Sequence, residues 1–127
     1  MTDKPSVEVL VEMNVAAMLE QGIPEMVYDV QDLLAPRSIT YLSGAPKDFK
    51  TWEALALAIC LVTGRSFGGL TVNAPEGGHK VLFVEAENRF QIPGRFERLC
   101  RGLQVNPARV LERIKFVYPP RGIKLND

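Results

Sequence analysis

Eight consecutive residues, Gly44, Ala45, Pro46, Lys47, Asp48, Phe49, Lys50 and Thr51, have types and spacing suited to one piece of chemistry. They match a phosphate-binding loop, G-x-x-x-x-G-K-[ST], except that Phe49 stands where the second glycine belongs. In such a loop successive backbone N–H groups curl round a β-phosphate. A helix opening at the loop's end adds the partial positive charge of its N-terminus. Lys50 would reach the β- and γ-phosphates, and the Thr51 hydroxyl would ligate Mg²⁺. Gly44 lets the chain turn sharply into the loop, whereas Phe49, in the usual curl, is expected at a positive φ that costs a bulky residue about 1–2 kcal/mol. The bland alternative is an ordinary turn that spells GxxxxxKT by chance.

A nucleotide loop must be flanked by a strand and a helix, and the sequence offers both. Residues 39–43 (ITYLS) are β-branched and aromatic and read as a buried strand. Residues 51–63 read as a helix closed by Gly64, and so little of it is polar that it must be covered on both sides. Trp52 reads as a packing residue of that helix, with adenine stacking as the alternative. Residues 65–78 are rich in glycine and read as a loop with one short strand near residue 71. Residues 80–85 (KVLFVE) are a second buried strand, and they lead into Glu85-Ala86-Glu87-Asn88 at its carboxyl end, where open parallel sheets place their active sites. A basic amphipathic helix over residues 93–103 follows. Asn106 as cap and Pro107 at the first helical position open another helix running through residue 114. Residues 115–118 are the third strand. This β-α-β-α-β alternation predicts an α/β fold, a parallel sheet flanked by helices.

Before that core lie residues 1–27, read as an N-terminal helical segment from Ser6 to the stop at Gln21-Gly22, with an apolar stripe of Val7, Leu10, Val11, Val15 and Met18. Residues 29–36 form a connector with Leu33 and Leu34 on its buried face.

Composition sets the outer bounds. The chain has 127 residues, 46% of them hydrophobic, enough for one small domain with a core. Fifteen basic residues balance fifteen acidic ones, so net charge singles out no nucleic-acid or membrane partner. The charges are segregated, however: acids dominate before residue 35 and bases after residue 88, which reads either as a basic surface for nucleic acid or an acidic neighbouring subunit, or as solvated helix faces. Cys60 and Cys100 lack metal or CxxC spacing and read as reduced, buried fillers, and His79 reads as exposed polar surface. With no apolar run long enough to span a bilayer and no leader-like N-terminus, a cytoplasmic protein is expected.

Three stretches together, ITYLSGAPKDFKTWEALALAICLVTGRSFGG, HKVLFVEAEN and RFERLCRGL, resemble the RecA-like P-loop ATPases, specifically the RepA-type branch of hexameric replicative helicases. The resemblance covers roughly residues 28–125 and includes the apolar helix ending in a TGR turn and the Ala-Glu pair after the next strand. It implies ATP and Mg²⁺ as cofactors, Lys50 and Thr51 in the phosphate and metal roles, and Glu87 as the catalytic carboxylate that polarises the attacking water. Glu85 is the spare candidate, and Lys47 matches a lysine frequent in such loops. It also implies a homo-oligomer, a hexamer in this branch, acting on DNA through regions that would lie beyond Asp127. The Mg²⁺-orienting aspartate of the family would lie there too, so residues 28–127 are expected to be a partial, incomplete RecA-like domain. Two alternatives come from other classes: a nucleotide-binding or interaction module without turnover, and a small phosphotransferase, for which no arginine-rich lid is visible.

Overall fold

The computed structural model describes residues 9–44, 49–87 and 89–121. Its organising element is a helix, α2 (Lys50–Thr63), preceded by the short α1 (Val15–Glu20). After α2 come β1 (Val81–Val84), a 3-10 turn (Arg89–Gln91), α3 (Ile92–Leu103), α4 (Pro107–Leu111) and β2 (Ile114–Val117). β1 and β2 pair in parallel, Val81 opposite Ile114 and Val84 opposite Val117, with α3 and α4 forming the crossover between them.

The apolar character of α2 decides the layering. Ala58, Ile59 and Val62 pack with Phe96 and Cys100 of α3, Val110 of α4 and Ile114 of β2, backed by the inward-facing Val81, Phe83 and Phe116. The rings of Phe83 and Phe96 both lie 5.5 Å from that of Phe116, the latter pair edge to face. On the other side Cys60 packs with Val30 and Val72. The helix is therefore covered on both sides, as its composition requires. Both cysteines are free and buried, and burial pushes both thiols above their ordinary range, with Arg65 partly opposing this at Cys60.

The second cover is a clip of two irregular segments. Val30 bridges both Leu34 and Val72, Gln31 N donates to Thr71 O (2.8 Å), and Asn73 N donates to Asp29 O (2.9 Å). His79 belongs to this clip: its Nε2 lies 2.8 Å from the Asn73 carbonyl and 4.0 Å from an Asp29 carboxylate oxygen. It is half-buried and bonded, which its polar neighbours in the sequence did not suggest. Leu34 packs in the clip, whereas Leu33 is exposed.

Three expectations need correction. Residues 39–43 form no strand: Ile39 is 91% and Tyr41 93% exposed, and Arg37 enters the left-handed region (φ 55°) just before them. A strand needs a ladder partner, and residues 39–43 join neither free edge of the β1–β2 pair, so β propensity alone leaves this segment solvated. The described sheet thus has two strands rather than three. Secondly, α1 is six residues long, capped by the Asn14 side chain (3.1 Å to Ala17 N), and the rest of the apolar stripe among residues 9–14 is not helical. α1 buries nothing, and a short helix without a packing surface has little to hold it together. Thirdly, α4 ends at Leu111. The Asn106 side chain caps it as expected, accepting from Ala108 N (3.0 Å), but Glu112 and Arg113 turn the chain into β2, which starts one residue early.

The carboxyl end of α2 is fixed by close backbone approach. Gly64 (φ 77°) closes the helix with its N–H on Cys60 O (2.8 Å), and His79 N donates to Leu61 O (3.0 Å). Gly78, at φ 90°, passes so near that a Cβ there would lie 1.7 Å from Val62 O. Gly78→Ala is therefore expected to cost about 2 kcal/mol or more in urea denaturation. Gly94→Ala in α3, where a Cβ would meet nothing within 4 Å, should be neutral or stabilising by up to about 1 kcal/mol.

Candidate functional site

His79, just before β1, donates its N–H to Leu61 O in the last turn of α2, so the carboxyl end of the helix lies beside the start of that strand. The first turn of α2 lies toward the other end, where the start of α3 borders the carboxyl ends of β1 and β2. The link between the two helices is the Arg95 guanidinium, which lies 5.3 Å over the Trp52 ring and is held by the Gln91 side chain.

α2 begins at Lys50. Phe49, its N-cap, supplies no side-chain hydrogen bond to the first turn. Lys50 turns back along the loop, and its Nζ donates to the Gly44 carbonyl at 2.8 Å. The ammonium thus ties the first residue of the motif to the start of the helix. Thr51 is half-buried in the same turn. Ala45, Pro46, Lys47 and Asp48 lie outside the described residues.

Phe49 departs from expectation. Its φ is −77°, ordinary for any residue, and the anticipated left-handed strain is absent. The reason is positional: the chain already turns toward helix at Phe49, with Glu53 N accepted by Phe49 O (2.9 Å), and the ring stays 71% exposed.

At the end of β1 the strand alternation continues one residue further. Glu85 is half-buried, its N–H donates to Val117 O (3.0 Å), and its Oε1 accepts from Glu87 N (3.1 Å). Glu87 is exposed. No hydrogen bond or ion pair joins it to Lys50 or Thr51 among the described residues, so the structure puts these residues at one end without placing them in contact. Sequence reasoning missed the Arg89 platform, in which the guanidinium lies 4.1 Å over the Tyr118 ring and 4.6 Å over that of Phe90. Its signal was available: an arginine–aromatic pair a few residues after one strand and a tyrosine directly after its neighbour. Gln91 and Arg95, four apart on one face, carried the corresponding signal for the Trp52 contact.

A buried apolar helix that starts with a lysine and a hydroxyl, and acids at a parallel strand's end, together make a partial α/β P-loop arrangement. The sequence profile of the AAA domain family matches residues 6–123, and the chain belongs to that P-loop ATPase-like family. Neither the curated proteins nor the solved structures gave a match.

Since Phe49 holds an unstrained backbone, Phe49→Gly should change unfolding free energy by no more than about 0.5 kcal/mol in chemical denaturation. Release of left-handed strain would instead raise it by about 1–2 kcal/mol.

Proposed function

We propose that residues 44–51 bind ATP with Mg²⁺, and that the chain is the nucleotide-binding part of a RecA-like, RepA-type ATPase that acts on DNA. The observation that carries this reading is the Lys50 side chain folded back onto Gly44 O at the start of α2. That arrangement stores a cation where a triphosphate would arrive, and exchanging one carbonyl for charged phosphate oxygens gives the ammonium stronger, charge-assisted bonds. The donor set fits the ligand: an ammonium, a threonine hydroxyl and the N–H groups of a helix start suit a phosphate, and the hydroxyl oxygen suits a hard cation. When bound, Mg²⁺ would neutralise phosphate charge, with Thr51 holding it.

In this reading Glu87 orients and deprotonates the attacking water, while Glu85 fixes the backbone at Glu87 through its 3.1 Å bond. The helicase branch and DNA rest on the three resembling stretches, which extend the P-loop class to a finer one. Binding without turnover is the competing reading, and it is separated from the first by Glu87.

Lys50→Ala is expected to weaken ATP binding at least several-fold by calorimetry, with an unchanged circular dichroism spectrum. Glu87→Gln should leave that affinity within about twofold while removing any hydrolysis the wild-type chain catalyses. Equal affinities for wild type and Lys50→Ala would overturn the site.

A further inference from the structure

A cleft of about 470 Å³ lies at the carboxyl end of α2, where α4 and the turn before it meet the residues leading into β1. At about 1.5 Å per residue, the 14 residues of α2 set it roughly 20 Å from Lys50 and Thr51. Val62 and Val110, both buried, give the cleft an apolar floor. Its walls carry three arginines: Arg65 just past α2, Arg109 in the last turn of α4 and Arg113 just before β2. Arg65 Nη2 donates to Gln104 O (3.2 Å), at the left-handed residue (φ 56°) that closes α3. The Arg113 guanidinium lies against Gly77, where a Cβ would overlap it. Arg109 is exposed, and its side chain makes no hydrogen bond or ion pair among the described residues. Glu112 is the one acid in the wall among those residues, and no ion pair joins it to any of the three.

Helix ends explain part of this, because a cation is favourable beside the last carbonyls of α2 and of α4. That accounts for Arg65 and Arg109 singly. It does not account for three like charges gathered round one cleft, where they repel one another and a single carboxylate leaves two of them uncompensated. A ligand with two or more negative charges would relieve the repulsion. Guanidinium forks match the oxygens of a phosphate bidentately, so phosphate is the anion that this wall fits. The volume is that of a small-molecule site, and the arginines surround it instead of lying in a row as a run of backbone phosphates would require.

We propose that this cleft binds the phosphate or pyrophosphate group of a free small molecule, at a site separate from residues 44–51. Arg109 supplies an unengaged fork, Arg65 the donors that Gln104 O leaves over, and Arg113 a guanidinium for which Gly77 makes room. The inference does not depend on nucleotide binding at Lys50.

The test is calorimetric titration of pyrophosphate, without metal, into the 127-residue chain carrying Lys50→Ala, which weakens the loop site and keeps the two readings apart. Saturable binding is expected. Adding Arg109→Ala, or separately Arg65→Ala, should weaken it by about tenfold or more with an unchanged circular dichroism spectrum. Arg109→Lys should recover only part of the loss, because the charge survives and the fork does not. Absence of saturable binding would overturn the proposal, as would binding indifferent to both alanine variants. A short thymidine oligonucleotide should fail to displace the pyrophosphate. Displacement would assign the cleft to the backbone phosphates of a nucleic acid and overturn the proposal equally.

Discussion

α2 is an apolar helix that water cannot be allowed to reach on either side, and the rest of the molecule is arranged to satisfy it. Leu55 and Ile59 are wholly buried, and Ala58, Cys60 and Val62 nearly so. At about 1.5–3 kcal/mol for each fully buried large side chain, these few residues outweigh any surface contact in the chain. One side is met by α3, α4 and the inner face of the two-stranded sheet. The other is met by the clip of Val30 and Val72, which has almost no regular structure and is held by backbone bonds to residues 29, 31 and 73.

Fixing α2 in this way also fixes the site. The helix's carboxyl end is locked by Gly64, Gly78 and His79, so its N-terminus is held at a set position relative to the ends of β1 and β2. Rigid support comes from the buried helix, and the residues proposed to meet a phosphate sit at the start of it. Lys50 and Thr51 need no packing of their own to be positioned. They inherit position from Leu55 and Ile59 one and two turns below.

Elements whose signals are local were legible in the sequence. The start and stop of α2, the cap at Asn106 with Pro107 behind it, and the two strands with alternating or apolar runs are each decided within a few residues. What was not legible depends on a partner far away in the chain. Residues 39–43 have strand composition, yet pairing is a property of two segments, and composition cannot say that this one would join neither edge of the β1–β2 pair. His79 looked like surface because its neighbours are polar; its bonds come from Asn73 and Asp29, which lie in segments that pair with each other over Cys60. The apolar stripe before residue 20 was visible as a stripe, but periodicity does not reveal whether a face has anything to rest against.

Phe49 shows that the position of the replaced glycine carries no left-handed backbone. A glycine at that position relieves strain only where φ is positive, and here the chain has already turned toward the helix at φ −77°. The substitution is therefore chemical rather than conformational: it adds a largely exposed aromatic ring beside the residues that would meet a phosphate. Such a ring cannot hydrogen-bond an anion, but it can exclude water from one side of the lysine next to it. Water excluded from beside Lys50 strengthens whatever charged contact the ammonium makes, since the same pair of charges interacts more strongly as the effective dielectric falls. The helix start therefore keeps its lysine and an ordinary backbone at Phe49, and what the replacement changes is the side-chain chemistry beside them.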